Sequence, residues 1–339
     1  MSPIPSLPVE LIQQIVNHCC GPIYHPGRYE PPDESSFPTL LSLCLVCRLL
    51  RELAQPLLYR HVKIYQSADR GPNLAASDAF LRLGVEFLDL EETSDTDPET
   101  ILELVMGAGR RLRRLELSYF DVDARIFEHA GIHLTHLEII ACRVTQQGTS
   151  TGWSLPFRLE HLGLLELEER DHRMSKSFLS ALIAPPSLTS LDITFETMYE
   201  GRDKRGSTLD LLFSLPTFPA FAAQITSLTL LELPGGSIYQ NGLALFTSLS
   251  HLTVHQNTRM DTLFALVDSL SFKPPTLKHL TVGFTNEEPN WHGFIHLKAL
   301  AKLTLITWSE LEKEDVSQEL LDVLRAGREI TMEWMASET

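Results

Sequence analysis

Cysteine spacing gives the first chemical hypothesis, because Cys44-x-x-Cys47 has a spacing that zinc sites use. A structural zinc ion takes four ligands, so Cys19 and Cys20 would have to complete the site. Adjacent cysteines are poorly spaced as ligands, and Cys44 and Cys47 fall inside an apolar segment of helical character. The five cysteines, an odd number, therefore favour reduced thiols over a metal site.

Histidine spacing raises the same question at His129, His133 and His136. No zinc-binding His-Glu-x-x-His helix surrounds them, and the last two flank the start of a predicted strand. The histidines at positions 136, 161, 251 and 279 recur at one place in successive strands, but Ser190 and Ser227 interrupt the series. We therefore predict surface histidines and no metal ligands.

Glycine and arginine are combined at Gly107-Ala-Gly109, which precedes four arginines within residues 110–114. A phosphate-binding loop follows a strand and opens a helix, whereas the predicted order here is helix, glycines, strand. We expect no Gly-x-Ser-x-Gly nucleophile elbow, and no Cys/His pair stands out for nucleophilic catalysis. The sequence gives no reason to pair any two acids as catalytic acid and base. We expect no catalytic residue and no cofactor, so the chain is predicted not to be an enzyme.

Charge is unevenly distributed along the 339 residues, whose formal net charge is -16. Residues 1–65 hold five acidic and five basic residues, so the other 39 acidic and 23 basic residues carry the whole net charge. Such an acidic region argues against nucleic acid and is compatible with a basic protein partner. No apolar run reaches the roughly 18 residues of a membrane helix, and no signal peptide is recognisable, so we expect no membrane partner and a cytoplasmic or nuclear location.

A phrase of the form L-x-x-L-x-L-x-x-N/C recurs along the chain, with its best copies at Leu249–Asn257 and Leu134–Cys142. Eleven copies are spaced by 22 to 29 residues, apart from one interval of 37, which is typical of leucine-rich repeats. We predict one strand at each copy and a core shared by neighbouring copies. The second apolar residues of the copies are Val62, Leu88, Leu115, Leu137, Leu162, Leu191, Leu228, Leu252, Leu280, Leu303 and Ile330.

Helix signals lie between several copies. They predict an α/β fold, a leucine-rich-repeat arc with parallel strands on its concave face and helices and turns on its convex face. Arg143–Phe157 is predicted to be a loop in place of a helix, and Tyr199–Ser207 an exposed charged loop. The helix candidates are Pro98–Met106, Ser175–Ala184, Thr208–Leu215, Asp261–Leu270 and Asp315–Ala326.

The first sixty residues or so predict a helical module that is too small to bury all of its leucines. Residues 6–20 form a first predicted helix, with Pro8 in its first turn. Gly21–Pro38 contains five prolines and is predicted to be a loop, and Thr39–Tyr59 one helix that is apolar on nearly all sides. The surplus apolar side chains must therefore contact either the repeats or another protein.

The string LPVEL, an interval, and LLSLCLVCRLLRELAQPLLYRHVKI, within Ile4–Ile64, resemble an F-box of the fungal type. The resemblance implies an F-box-like helical module at residues 1–60, with its proline-rich loop at 21–38. The recurring phrase predicts a leucine-rich-repeat domain at residues 61–339. The loop is longer than usual in the family, and Leu50 stands where many members have tryptophan. F-box families bind the Skp-type adaptor of cullin–RING ubiquitin ligases, and the matching positions are Leu7, Pro8, Leu11, Ile15, Leu43, Val46, Cys47 and Leu50.

The polar positions between the leucines define the face that we expect to bind a target protein. The column directly after the second apolar residue is mostly acidic in its first half and consists of threonines in its second half. The acidic half would prefer a basic segment, although stacked threonines and solvated acids are also common in sheets that bind nothing. The predicted target-binding residues are Asp89, Glu116, Glu138, Asp192, His251, Thr253 and His255.

These expectations describe the substrate receptor of a ubiquitin ligase complex, which takes part in protein ubiquitination by holding a target close to the transfer reaction. Its helices would bind the Skp-type adaptor, and its repeats would bind an unknown protein substrate. The alternative is a leucine-rich-repeat interaction scaffold without ligase association, in which the helices only cap the stack. An enzyme is the third hypothesis, and an acidic loop residue whose substitution abolished turnover would support it.

Overall fold

The computed structural model divides the chain into two compact units, residues 1–134 and residues 135–339. Strands and helices are present in both units. Within the described part of the chain, no helix is long and apolar enough to cross a membrane. The residues that the structure describes are 8–19, 37–66, 84–92, 98–109, 111–123, 125–145, 153, 155–165, 175–193, 212, 214–230, 245–254, 276–284, 301–307 and 329–334.

The first unit begins with three helices and continues with strands and two further helices. Strands β1, β2 and β3 pair in parallel, and their apolar residues Val62, Leu88 and Leu115 are in register. The helices are α1 (Val9–His18), α2 (Phe37–Val46), α3 (Arg48–Leu58), α4 (Pro98–Ala108) and α5 (Arg125–His129). The strands are β1 (His61–Gln66), β2 (Phe87–Glu92), β3 (Arg114–Ser118) and β4 (Asp121–Asp123).

The prediction of one helix over Thr39–Tyr59 is wrong, because the chain breaks at Cys47 between α2 and α3. Cys47 is extended, with φ -158° and ψ 167°, and its Sγ accepts a hydrogen bond from the Leu50 N–H at 3.5 Å. The Arg51 side chain donates to the Cys44 carbonyl, one of the last carbonyls of α2 that have no partner within the helix. Cysteine is not a usual capping residue, so the helix signals in the sequence do not reveal this break.

Helices α1, α2 and α3 pack around a small apolar core. Burial raises the pKa of the Cys44 thiol in this core, although the charge of Arg51 opposes the shift. Cys44 is therefore a protonated, buried thiol at neutral pH. The buried members are Val16, Leu40, Cys44 and Ala54, and the partly buried neighbours are Ile12, Leu43, Leu50, Leu53, Leu57 and Leu58.

Two glycines allow the end of α4 to approach the end of α5. Gly131 has φ +86°, and a Cβ atom at this position would collide with the carbonyl oxygen of Gly109. A Cβ atom on Gly109 would in turn lie 2.7 Å from the carbonyl oxygen of His129. Helix α4 confirms the candidate Pro98–Met106 but runs two residues further, so Gly107 lies inside the helix.

The second unit contains eight parallel strands in the described residues, paired in the order β5-β7-β8-β9-β10-β11-β12-β13. These strands are β5 (His136–Ile140), β7 (His161–Leu165), β8 (Ser190–Ile193), β9 (Ser227–Leu230), β10 (His251–Val254), β11 (His279–Phe284), β12 (Lys302–Thr307) and β13 (Glu329–Trp334). The other elements of this unit are β6 (Arg143–Thr145), α6 (Lys176–Ile183) and α7 (Phe218–Gln224).

The predicted series of apolar residues is confirmed within each unit, because each member pairs with the next at the same register position. A pattern of backbone hydrogen bonds, which we call the carbonyl feature, recurs along the same series. The residue two positions before the apolar residue accepts, at its carbonyl oxygen, hydrogen bonds from two consecutive N–H groups at the start of the following strand. Thus Thr226 accepts from Ser250 and His251, at 2.9 and 3.0 Å, and Ser250 accepts from Lys278 and His279 in the same way.

Several predicted segments have different outcomes. Ser175–Ala184 is confirmed as α6, with the Ser175 Oγ accepting from the Phe178 N–H. Strand β6 lies within Arg143–Phe157, which we predict as a loop, and the short helices α5 and α7 are not among the predicted helices. Asp261–Leu270, Asp315–Ala326, the loop Tyr199–Ser207 and most of Thr208–Leu215 lie outside the described residues.

Candidate interaction surfaces

Large apolar side chains are exposed on the three N-terminal helices. Their exposed fractions run from 37% at Leu49 to 74% at Leu45. Singly exposed apolar residues are ordinary, whereas a group of them on one small module is typical of a protein-binding surface. We call this set the helical apolar surface, and its members are Val9, Leu11, Ile15, Leu41, Leu45, Val46 and Leu49.

Helical spacing explains why these side chains remain exposed. In α1, Ile12 and Val16 are four residues apart and pack inward, whereas Leu11 and Ile15 lie on a different face and remain outside. Helix α2 repeats this division. Leu40 and Cys44 are buried, while the pair one residue further along, Leu41 and Leu45, is exposed.

The predicted adaptor-binding residues divide into three groups. Pro8, Leu11, Ile15, Val46 and Cys47 are exposed. Leu43 and Leu50 are partly buried against the core of the helices, and Leu7 lies outside the described residues. The exposed residues Val9, Leu41, Leu45 and Leu49 belong to the helical apolar surface but not to the predicted set. Because α2 is apolar on both sides, its sequence does not show which side faces outward. The packing of α2 against the core of the three helices shows it.

Polar residues on β1 and β2 form a buried pair in the first unit. His61 Nε2 lies 2.6 Å from Asp89 Oδ2, and the two side chains are 3% and 13% exposed. The rings of His61 and Phe87 are nearly perpendicular, at 87°, with 6.3 Å between their centroids. Asp89, predicted to be a target-binding residue, therefore has an internal partner.

Arginine–glutamate pairs flank this histidine. Arg114 Nη2 donates to Glu116 Oε2 at 2.7 Å, and both side chains are mostly buried. Arg60 donates to Glu86 Oε2 through two nitrogens, at 2.8 and 2.9 Å, and its guanidinium lies 5.4 Å from the centroid of Phe87. Like Asp89, the predicted binding residue Glu116 is thus engaged within its own unit.

In the second unit, two predicted binding residues lie on either side of a histidine. His161 Nε2 is 3.7 Å from an oxygen of Glu138 and 3.7 Å from an oxygen of Asp192. The strand between these acids carries Gly163 at the corresponding position, and a Cβ atom there would lie 2.8 Å from the Glu138 Cγ. The absence of a side chain at Gly163 lets Glu138 extend towards β7.

The later strands of the second unit have a different chemistry. His251 and His279 stack in parallel across β10 and β11, with 4.4 Å between ring centroids and 1° between ring planes. The Ser250 Oγ lies 2.8 Å from His251 Nδ1. Partial desolvation, together with the nearby positive charges of His279 and Lys278, lowers the pKa of His251. Thr253 is half-buried, and His255 lies outside the described residues.

The cysteines and histidines considered for metal binding are placed as follows. Cys44 is buried and Cys47 exposed, so this pair does not present two thiols to one environment. His129 and His133 are exposed. Within the described part of the chain, no group of three or more His, Cys, Asp or Glu residues is placed to hold a metal ion.

The expectation of no Gly-x-Ser-x-Gly elbow overlooks one serine motif of the sequence. Gly148-Thr-Ser-Thr-Gly152 has the G-x-S-x-G form of a nucleophile elbow, which requires a strand before the serine and a helix after it. Strand β6 ends at Thr145, and residues 146–152 lie outside the described residues. The described residues between this motif and β7 contain no helix. The expectation of no catalytic residue remains a prediction, and Ser150 is the side chain on which to test it.

Comparison with known proteins gives no family assignment: no protein-family model and no curated protein sequence matches the chain.

Proposed function

We propose that the chain is the substrate-recognition subunit of a Skp–cullin–RING ubiquitin ligase. In this proposal α1, α2 and α3 form an F-box-like module that binds the Skp-type adaptor. The parallel strands form a leucine-rich-repeat arc that binds the target protein, and the complex acts in the cytoplasm or nucleus. The chain itself catalyses no step.

The helical apolar surface is the observation that supports adaptor binding best. It lies within the region whose sequence resembles an F-box, and its side chains face outward although a separate inward face already forms the core. Complete burial of one Leu, Ile or Val side chain contributes about 1.5–3 kcal/mol. Part of this gain would be offset by the loss of freedom on association. An apolar partner would thus stabilise a surface that water solvates poorly.

The strand geometry supports the target-binding half of the proposal. Equivalent apolar residues are in register in each unit, and the carbonyl feature recurs at the same position. Stacked repeats that each contact only their neighbours produce an extended, rigid surface. Such a surface would hold a target in the same complex as the adaptor, so that ubiquitin transfer becomes a proximity effect.

Co-expression with a Skp-type adaptor tests the proposal. We expect the wild-type chain to retain the adaptor through affinity and size-exclusion chromatography, and Leu11→Asp/Ile15→Asp and Leu41→Asp/Leu45→Asp to lose it. The matched control is Met106→Asp/Ile132→Asp, which places two charges on exposed apolar residues outside the three helices and should leave adaptor binding intact. Failure of the wild-type chain to retain the adaptor would refute ligase association.

The scaffold alternative has one structural observation in its favour. Helix α3 ends at Leu58, β1 begins at His61, and the intervening Arg60 carbonyl accepts from the Glu86 and Phe87 N–H groups. The helices thus continue directly into the first parallel strands, as a cap would. If they only cap the sheet, no adaptor will copurify with the wild-type chain, and the aspartate variants will be no less folded than the control.

A further inference from the structure

Strands β9 to β12 of the second unit carry no carboxylate at the two polar positions that flank the second apolar residue. The positions before it are Ser227, His251, His279 and Lys302, and those after it are Thr229, Thr253, Thr281 and Thr304. Strands β5 and β8 of the same unit have Glu138 and Asp192 at the position after it. The chemical character of the face therefore changes from acidic to imidazole, lysine and hydroxyl over β9 to β12, and a carboxylate returns at Glu329 on β13.

We propose that His251 and His279, with Lys278 and Lys302 beside them, bind a carboxylate-rich segment of a partner protein, and that this binding strengthens as the pH falls. We call these four residues the imidazole site. The proposal rests on the proposed target-binding role of the strands but does not depend on adaptor binding. It also differs from the basic partner expected at the acidic positions.

The geometry presents both imidazoles to one ligand. Their rings lie parallel on adjacent strands at 4.4 Å, and His251 is exposed. The contact of Ser250 Oγ with His251 Nδ1 fixes the ring and leaves Nε2 for an external partner. A protonated imidazole donates through both nitrogens, so Ser250 and a carboxylate can be satisfied at the same time. Lys302 follows His279 in register on β12.

Electrostatics makes the site depend on pH. Among the described residues, the neighbours of His251 are the neutral Ser227 on β9, and His279 with Lys278 on or next to β11. Lys302 lies one strand beyond, and the acidic Glu329 follows Lys302 in register on β13. Partial desolvation and the positive neighbours lower the pKa of His251, so the ring is neutral at neutral pH. Acidification adds positive charge beside Lys278. A bound carboxylate reduces this repulsion, so protonation and binding favour each other.

A short fluorescent oligo-aspartate peptide is a suitable probe, because aspartate stays ionised at about pH 5.5 and at about pH 7.5. Fluorescence anisotropy with the full chain should give a Kd that is about tenfold lower at the more acidic pH. His251→Gln/His279→Gln should abolish this difference. The matched control His129→Gln/His133→Gln removes two exposed histidines elsewhere and should preserve it. An oligo-asparagine peptide should not bind at either pH.

A second variant separates binding from folding. His251→Lys/His279→Lys supplies permanent positive charge, so it should bind the oligo-aspartate peptide at both pH values. Equal wild-type affinities at the two pH values would overturn the proposal. The proposal would also fail if His251→Gln/His279→Gln bound the peptide like the wild type but had a lower Tm. His251 and His279 would then only stabilise the packing of β10 and β11. Adaptor copurification, measured on the same variants, reports separately on the proposed ligase role.

Discussion

His61 and Asp89 form a buried pair across β1 and β2, with His61 Nε2 2.6 Å from Asp89 Oδ2. The other carboxylate oxygen, Asp89 Oδ1, is buried and has no hydrogen-bond partner in the described structure. This pair changes the interpretation of the acidic column. An incoming basic side chain would have to compete with His61 for Asp89 and with Arg114 for Glu116. Asp89 and Glu116 therefore contribute to the stability of the first unit, and this role competes with any role in binding.

His61→Ala should lower the free energy of unfolding by about 3 kcal/mol, because it leaves a buried carboxylate without its partner. The double variant His61→Ala/Asp89→Ala should lose less than the sum of the two single variants. Urea denaturation followed by circular dichroism measures all three. Arg48→Ala, which breaks the exposed ion pair with Glu52, is the control and should have little effect. Strictly additive losses at His61 and Asp89 would contradict an energetic coupling between them.

The register of the strands could be predicted from the sequence, whereas the contacts between polar residues could not. Each apolar residue of the series must enter the shared core, so its spacing determines which residues pair. The polar contacts join residues that are not paired in the register. Val62 pairs with Leu88, but His61, which precedes Val62, contacts Asp89, which follows Leu88. Such contacts depend on side-chain rotamers and on local burial, which the pattern of leucines does not specify.

In the helical module, too, some features could be predicted from the sequence and others could not. The outward face of α1 follows from the four-residue spacing of Leu11 and Ile15. The break at Cys47 depends on a thiol acting as a cap and on Arg51 reaching the Cys44 carbonyl. Neither interaction has a sequence signal strong enough to predict. The residues that complete the exposed surface, Leu41 and Leu45, could be identified only once α2 was placed against its neighbours.

Gly131→Ala should destabilise the first unit strongly. A Cβ atom would collide with the backbone carbonyl of Gly109, and the positive φ of +86° is strained for alanine. We expect a loss of more than about 2 kcal/mol. Gly163→Ala is the matched comparison, because Gly163 has no positive φ and the nearest atom to its Cβ would be the Glu138 Cγ at 2.8 Å. This substitution should cost much less. Thermal unfolding of both variants tests this, and similar Tm values would contradict it.

Asp123 should stabilise the first unit at neutral pH and lose this effect in acid. Burial raises the pKa of Asp123, but hydrogen bonds from the Arg125 side chain and N–H, with the charge of Arg125, outweigh it, so the pKa lies below its usual range. A lowered carboxyl pKa stabilises the fold above about pH 4, and this contribution is lost as the pH falls further.

Asp123→Ala should therefore reduce the free energy of unfolding by about 1 kcal/mol at neutral pH, and by less in acid. Asp123→Asn keeps an acceptor for the Arg125 N–H and should lie between the wild-type chain and the alanine variant. Denaturation curves at several pH values provide the measurement. A difference between wild type and Asp123→Ala that stayed constant down to about pH 3 would show that ionisation of Asp123 does not contribute.

The lowered pKa of His251 predicts a loss of stability in mild acid. A histidine whose pKa is lower in the folded chain than in the unfolded chain binds protons preferentially when unfolded. Its full contribution is therefore present above about pH 6.5 and declines as the pH falls below that value. His251→Gln removes the titrating ring, so its Tm should fall less between about pH 7.5 and about pH 5.5 than the Tm of the wild-type chain. His133→Gln, at an exposed histidine in the first unit, should behave like the wild type. If His251→Gln loses as much Tm as the wild type over this range, the partial desolvation and the positive neighbours of His251 do not disfavour its protonation in the folded chain.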